Sequence, residues 1–360
     1  MKIHVVGGGP AGLYFAILMK KSWPDLRVTV LERNRPEDTF GFGVVFSDET
    51  LDNFESYDRE TYRALTGHFA YWDDIAIHFR GTVHRIGGNG FCGCSRTTLL
   101  RLLHERARAF GIELKFQNEI ADIAALTRDA DLVVGADGSN SRLRDRLGLL
   151  ARRKYLVDGC TRLLLDKSAA ERAGGDGKTI EYWSGTRRIL YTPCSETDIY
   201  IALTMHDRDE PAKAVPVRKD DWKRWFPQLH ALIDRIGTQG RYDRFDLIKL
   251  KTWSVGRVAF LGDAAHALPP NIGQGGGCAM MNALSLAVYL ERDADIAASL
   301  RAWERNERPM TEHTQRISYW LGLPTTWPPV LRAAALGLAG LSKWLTAQRT
   351  RTALHRPTGT

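Results

Sequence analysis

Asp263, His266 and Pro270 stand in the stretch best suited to chemistry, Gly256 to Asn282, GRVAFLGDAAHALPPNIGQGGGCAMMN. Val258 to Leu261 read as an apolar strand that breaks at Gly262-Asp263. The chain then crosses Pro269-Pro270 and passes Gly273, Gly275, Gly276 and Gly277 into a helix. Proline stiffens such a loop, and glycine removes the side chains that keep a ligand away from the backbone. Free N–H groups at the start of the helix favour an anion or the partly negative edge of a ring. The pattern suits a nucleotide site, and its meaning depends on two stretches upstream. His266 either donates a proton or braces the loop.

The first upstream stretch is Gly7-Gly8-Gly9-Pro10-Ala11-Gly12, which fits G-x-G-x-x-G and follows the short apolar strand Ile3 to Val6. A helix with Leu13, Ala16, Ile17 and Lys20 at helical spacing comes next, then a strand from Val28 to Leu31. Glu32 closes that strand, twenty residues after Gly12. There a carboxylate can accept both hydroxyl protons of an adenosine ribose. It would repel a 2′-phosphate, so FAD or NAD is favoured over NADP. The second stretch, Asp131 to Gly138, is DLVVGADG. It has the pattern of a buried strand ending in a sharp Asp137-Gly138 turn, with Ser141 placed to serve the next helix.

Other segments must position these loops. Gly41 and Gly43 flank Phe42 ahead of Val44-Val45. That is either a tight turn into a buried strand or backbone lying against a flat cofactor ring. Asp48 to Thr66 reads as a charged, solvent-exposed helical cover. Ser95 reads as the cap of a helix with Leu99, Leu102, Leu103, Ala107 and Phe110 on one face. Arg96 in its first turn opposes the helix dipole by up to ~1 kcal/mol; it is either an ordinary surface arginine or there for a phosphate or a flavin. Phe69 to Arg80 alternates with period two, the mark of a half-buried strand. Similar strands recur at Thr179 to Trp183, Arg188 to Pro193 and Ile199 to Met205. Together they suggest a second, largely antiparallel sheet inserted into the first domain at two places. Val330 to Leu345 reads as one helix with Leu331, Ala335, Leu338 and Leu345 on an apolar face and Arg332 and Lys343 off it. That helix either packs on the body or a dimer face, or lies on a membrane surface.

At 360 residues, with 44% hydrophobic and 26% charged side chains, the chain is an ordinary globular protein of one or two domains. Its net charge of +8 either aids solubility or draws in a polyanionic ligand. The short basic clusters lack a nucleic-acid module, so no nucleic-acid partner is expected. The five cysteines, Cys92, Cys94, Cys160, Cys194 and Cys278, form an odd set without zinc spacing. They read as reduced thiols of a cytoplasmic protein with no metal. No apolar run reaches the ~18 residues a spanning helix needs, so no stable membrane association is expected.

The order of the glycine fingerprint with Glu32, then Asp137-Gly138, then Gly262-Asp263-Ala264-Ala265-His266 with Pro269-Pro270 and Gly273-Gln274-Gly275, resembles the single-component flavin-dependent aromatic hydroxylases, the para-hydroxybenzoate-hydroxylase-like family. The resemblance reaches to about residue 310. It implies an α/β fold: a Rossmann-like FAD-binding domain with an inserted, mostly antiparallel β-sheet substrate domain and C-terminal helices. On that pattern residues 1–68, 95–150 and 253–310 form the FAD domain, 69–94 and 151–252 the substrate sheet, and 311–360 a C-terminal helical segment. The resemblance implies FAD in an extended pose. Gly7, Gly9, Ala11 and Gly12 would meet the pyrophosphate, and Glu32, with Arg33 beside it, the adenosine ribose. Arg96 would contact FAD, Asp137 the pyrophosphate side and Asp263 the ribityl chain. Val44, Val45, Pro270, Gly273, Gly275 and Gly276 would line the ring, with Pro270 and His266 the candidates nearest the chemistry. NADH or NADPH would visit transiently, and O2 would react through a flavin C4a-hydroperoxide.

A nearer likeness runs through Phe40 to Leu51, Phe69 to Ile75 and Gly88 to Arg96. It is to the hydroxylase domain of the salicylyl-CoA 5-hydroxylases and 2-aminobenzoyl-CoA monooxygenases. It implies an aryl-CoA substrate, salicylyl-CoA giving gentisyl-CoA; the alternatives are a hydroxylase of a free phenol or indole, or an FAD-dependent reductase without oxygen insertion. Some of those proteins continue into a reductase domain. Here plain hydroxylation by a monomer or homodimer is expected. One departure stands out: the family usually has an acid before Ala in the helix after the glycine loop, and this chain has Asn282, read here as opening that helix.

Overall fold

The computed structural model describes residues 1–38, 42–86, 90–120, 122–173 and 178–360. Gly41, Phe40 and the Gly88-Asn89 pair, all invoked above, lie outside these residues. The Lys2–Val6 strand is flanked in parallel by Arg27–Leu31 on one side and Leu132–Gly135 on the other. Val258–Phe260 adds in parallel beyond Leu132–Gly135, and Glu113–Lys115 beyond Arg27–Leu31. The short Ser254–Val255 strand closes one edge antiparallel. The apolar runs that form the central strands are buried on both faces, as parallel sheets require.

The Pro10–Ser22 helix covers this sheet. Pro10 occupies its first turn, where a missing N–H costs nothing, and Lys20 and Lys21 sit at its negative end. Ala11 through Met19 are all buried, so the helix is apolar all round and enclosed by neighbours. Leu13, Phe15 and Ile17 are fully buried, each worth roughly 1.5–3 kcal/mol of transfer free energy. The Ser95-capped helix runs from Arg96 to Ala109, with the Ser95 hydroxyl accepting from Thr98 N.

A second sheet of seven strands runs in the order Arg241–Leu250, Leu150–Asp166, Asp198–His206, Arg187–Pro193, Thr179–Ser184, Ile75–Phe79, Thr82–Ile86. All its pairs are antiparallel except Thr179–Ser184 with Ile75–Phe79, which is parallel. Alternation divides its faces. Ile201, Leu203 and Met205 pack outward against Trp222 and Phe226. Tyr200 and Ala202 face the other way, against Phe42, Leu164 and Leu190.

Four expectations need correction. Phe69 to Arg80 is two strands, Ala70–Trp72 and Ile75–Phe79, in different sheets. Phe91–Ser95 pairs antiparallel with Gly43–Ser47 on one side and Ala70–Trp72 on the other, in a three-stranded sheet that the sequence pattern did not announce. The Asp48 to Thr66 cover is half core: Leu51, Phe54 and Leu65 are buried, with Phe54 edge-on to Tyr14. Val330 to Leu345 breaks at Ser342 into helices Pro329–Leu341 and Lys343–Ala353, with Ser342 capping the second. The first of these is turned inside out. Arg332 is 4% exposed and Leu331 57%.

Candidate functional site

The in-register pairing Phe260↔Gly135, Val6↔Gly135 and Val6↔Leu31 sets the C-terminal ends of four parallel strands flush. The glycine fingerprint, Glu32, the Asp137-Gly138 turn and the Gly262-Asp263 loop each leave from one of those ends. Across the edge the order is the Asp263 loop, Asp137, the Gly7–Gly12 turn, and Glu32. Three strand spacings of ~4.8 Å put Glu32 and Asp263 roughly 15 Å apart, the reach of an extended dinucleotide. Ligands of open parallel sheets bind outside this edge.

The glycines here are set by space. Gly7 has φ +111°, and a Cβ on it would overlap the Ala136 carbonyl at the end of the neighbouring strand. A Cβ on Gly12 would strike the Gly7 carbonyl. At Gly9, by contrast, the nearest atom to a Cβ is Arg96 Nη2 at 3.9 Å, so the backbone there faces open space beside a guanidinium. Glu32 is held by two backbone donors, Gly8 N at 2.8 Å on one oxygen and Asn34 N at 2.9 Å on the other. Arg33 is exposed beside it.

Asp137 leaves its strand with one carboxylate oxygen buried and unpartnered among the described residues. Burial pushes its pKa up, and Ser141 only partly offsets this. Ser141 Oγ caps the Arg142–Arg146 turn by accepting from Arg144 N. Arg144 itself was not singled out from the sequence. Its side chain is fully buried and donates to the Ala264 carbonyl at 3.2 Å, joining the second motif to the third. Its one signal was the run Asp-Gly-x-x-Ser-x-Leu-Arg.

Asp263 is solvent-exposed, yet dense protein around it pushes its carboxyl pKa up, with Arg96 acting against the shift. Both hold for a residue on the wall of a deep cleft. Arg96 lines the same cleft, its pKa lowered by burial while Asp263 and Glu32 work in the other direction. Phe42 lies between two guanidinium groups, Arg96 at 5.3 Å and Arg162 at 4.9 Å from its centroid. Arg162 is paired with Asp243 at 2.8 Å.

The glycine run is the first turn of the helix itself, which spans Gly275–Arg292, so Asn282 sits two turns inside it. Three consecutive glycines cost a helix roughly 3 kcal/mol relative to alanine. Packing explains them. A Cβ on Gly276 would lie 2.8 Å from Val44 Cγ1, and one on Gly277 3.2 Å from Thr50 Oγ1. Gly273, at φ +66°, rests against Val45. The turn and the Gly43–Ser47 strand therefore meet face to face, bringing Val44, Val45, Gly273 and Gly276 together. Pro270 precedes them, and its carbonyl accepts from Gly273 N.

His266 faces the other way. It is 2% exposed, tilted against Trp253 at 5.2 Å, and burial lowers its pKa to about 4. The Asn282 amide orientation that satisfies all its neighbours accepts from His266 Nε2 at 2.8 Å and Thr311 Oγ1 at 3.1 Å. It donates to Glu307 Oε1 at 2.9 Å and to the Cys278 carbonyl. Glu307, fully buried, pairs with His355 Nε2 at 2.5 Å and accepts from Thr358 N and Oγ1. A carboxylate thus stands next to position 282 after all, supplied by another helix.

Opposite the glycine turn, Tyr200 lies so close to Gly43 that a Cβ there would be 2.9 Å from its ring. Along the same face Arg188 is held by Glu181 at 3.3 Å and Asp158 at 3.5 Å, and Thr325 Oγ1 donates to Asp158 at 2.9 Å. The cleft is apolar near Tyr200, Leu164 and Leu190 and polar, with charges paired, at its far end. None of this wall was assigned from sequence beyond its strands. Among the described residues no group of three or more His, Cys, Asp or Glu side chains could hold a metal ion. No helix among them is long and apolar enough to cross a membrane.

The groups along the edge fit a dinucleotide. They offer a side-chain-free turn at a helix start, an oriented carboxylate for a ribose, a guanidinium, and an unpartnered acid oxygen. Comparison agrees. Residues 1–301 match the family model described as an FAD binding domain. The chain is 36% identical over 362 residues to a 2-heptyl-3-hydroxy-4(1H)-quinolone synthase of Mycobacteroides abscessus, covering 94% of this chain and 95% of that protein. It is 38% identical over 338 residues to a salicyloyl-CoA 5-hydroxylase of a Streptomyces species, covering 89% of this chain and 65% of that protein. Among solved structures, the tetrameric form of 2-methyl-3-hydroxypyridine-5-carboxylic acid oxygenase superposes with a TM-score of 0.81 at 29% identity, over 99% and 96% of the two chains.

Proposed function

The chain belongs to the FAD-binding-domain family of flavin-dependent aromatic monooxygenases, with FAD as its cofactor, and we propose that it hydroxylates an electron-rich ring held between the Gly273–Gly277 turn and the inner face of the seven-stranded sheet. The overall change is ring C–H plus O2, NAD(P)H and a proton to ring C–OH, NAD(P)+ and water. FAD supplies the redox chemistry, taking a hydride from NADH or NADPH and activating O2. The chain's own residues hold and enclose. Glu32 takes the adenosine ribose, with Arg33 at the rim. Gly7, Gly9, Ala11 and Gly12 take the pyrophosphate, with Arg96 balancing its charge and Asp137 alongside. Asp263 takes the ribityl hydroxyls. Val44, Val45, Pro270, Gly273, Gly275 and Gly276 bound the ring and keep water from it. His266 is assigned to bracing the loop, since it is buried, neutral and turned into the protein. The observation that carries the reading is the meeting of all three motif loops on one sheet edge.

For the substrate we infer a 4-quinolone or similar fused heteroaromatic. Likeness to the quinolone synthase runs over nearly the whole of both chains. The wall near Tyr200, Leu164 and Leu190 is apolar, and the cations beside it are paired with carboxylates. Such a ring is nucleophilic at C3, where its nitrogen donates electron density through the C2–C3 double bond. An aryl-CoA thioester is the second reading, supported by the 38% likeness to the salicyloyl-CoA hydroxylase and by the +8 charge.

The FAD-loaded protein should be given NADH or NADPH, O2 and, separately, 2-heptyl-4(1H)-quinolone, salicylyl-CoA and free salicylate. A 3-hydroxyquinolone formed in step with NAD(P)H consumption is expected. Turnover of salicylyl-CoA at tenfold higher kcat/KM would overturn the quinolone assignment in favour of the thioester. Hydrogen peroxide as the sole product with every ring would remove oxygen insertion altogether.

A further inference from the structure

After Glu312 the sequence has no acidic side chain. The last 48 residues carry six cations, Arg316, Arg332, Lys343, Arg349, Arg351 and Arg356, and neither Asp nor Glu. The 312 residues before them hold the other 44 Lys and Arg against all 42 Asp and Glu, so six of the eight net positive charges lie in this segment. The same segment carries the three most exposed large apolar side chains among the described residues, Val330, Leu338 and Trp344. Trp327, Val330, Leu331 and Leu338 are 41%, 71%, 57% and 64% exposed, and Ala334 is exposed with them. The spacing 327, 330, 331, 334, 338 is a single helical stripe. The opposite stripe is already used. Leu336 is buried against Ile77, Phe79 and Trp183. Arg332 stacks on Phe79 and Trp183 and donates to the carbonyls of Pro324, Gly185, Thr325 and Trp327. These bonds fix the rotation of the Pro329–Leu341 helix, so its outward apolar face cannot be relieved by rolling inward.

We propose that this face docks on an anionic lipid surface, with the helix lying in the plane of the interface. Charge complementarity selects that occupant. Lys343, Arg351 and Arg316 are exposed in the same segment, which contributes no Asp or Glu of its own, while its Arg356 is already paired with Glu49. Trp327 before the helix and Trp344 after it, the latter 60% exposed, bracket the stripe as amphipathic rings do at a headgroup boundary. At 1.5 Å per residue the helix is about 20 Å long, enough to lie on a bilayer and too short to cross one. A second copy is the poorer fit, because an isologous pairing through this face would set cation-bearing segments without Asp or Glu against each other. Attachment is peripheral and reversible, driven by apolar burial plus counter-charge.

The test is co-sedimentation of the FAD-loaded protein with vesicles of pure phosphatidylcholine and of phosphatidylcholine with 30% phosphatidylglycerol, at low salt and at 0.5 M salt. Binding to the anionic vesicles alone, weakened by salt, is expected. Lys343→Glu and Arg351→Glu should each lower the partition coefficient about fivefold or more. Leu331→Gln with Leu338→Gln should lower it at least about tenfold. Both sets leave the cleft untouched, so FAD content should be unchanged, which separates lost docking from lost folding. No sedimentation with anionic vesicles would overturn the proposal. So would a dimer in solution that the two leucine substitutions dissociate, since a second copy would then cover the face.

Discussion

Asn282 illustrates what one residue can and cannot say. Its type alone shows a hydrogen-bonding group without charge where an acid is usual. The structure adds Glu307, from 25 positions further along, donating its charge to the same cavity. That partner was illegible because nothing in local pattern marks which carboxylate of a charged helix turns inward. Asn282→Asp would place a second carboxylate directly against Glu307, whose cationic partner is His355. Two carboxylates at contact distance do not both ionise readily. The variant should lose roughly 2–3 kcal/mol of stability at pH 8 and less at pH 5, where one acid takes up a proton, and Glu307→Gln in the same chain should restore most of it. Thermal unfolding of the three variants at both pH values checks this; an Asn282→Asp protein as stable as the parent at pH 8 would refute it. The cap residues Ser95 and Ser141 were legible for the opposite reason, since a hydroxyl three residues before a helical N–H acts locally.

At the scale of elements, the strands that carry the motifs were read to within a residue or two because buried parallel strands are short apolar runs with abrupt glycine ends. The glycine run was read as loop because helix propensity argues against three glycines in a first turn. What overrides propensity is the Gly43–Ser47 strand lying against that turn, where Val44 meets Gly276 from 232 positions away. Gly276→Ala should therefore push the turn off Val44 and weaken FAD binding by about tenfold. If the clash with Val44 is the cause, Val44→Ala in the same chain should recover most of the affinity. Fluorescence titration of the FAD-free protein measures both, and an alanine at 276 that binds FAD as tightly as glycine would show that the space is not limiting. The Pro329–Leu341 helix was misoriented for a related reason. Periodicity finds an apolar face but cannot tell inside from outside when an arginine has four carbonyls to bond.

Across the whole molecule, residues 355–360 run behind the glycine-turn helix. Ser285 Oγ donates to the Thr358 carbonyl, and Thr358 N and Oγ1 both donate to Glu307. Nearby, Ser47 Oγ donates to the Ala353 carbonyl, so the end of the preceding Lys343–Ala353 helix reaches the strand that faces the turn. The charged link in this strap is Glu307 with His355. Burial alone would lower the His355 pKa, but Cys278 and Glu307 outweigh it and raise the value from 6.5 to about 10. Burial alone would raise Glu307, but His355 and Thr358 outweigh it and lower the value below 4.5. The signs then follow. His355, raised on folding, contributes stability that is full below pH 6.5 and is lost as pH rises toward 10. Glu307, lowered on folding, contributes stability that is full above pH 4.5 and is lost as pH falls below it. The pair therefore helps most between about pH 4.5 and 6.5. Between pH 6.5 and 10 the parent should lose on the order of 3 kcal/mol that His355→Gln does not lose, because the variant has no proton to release there. Parallel Tm measurements across that range isolate the pair from the lysines, tyrosines and thiols that both proteins share. Curves that fall in parallel would mean that His355 is neutral in the folded chain and that the strap is held by its neutral hydrogen bonds alone.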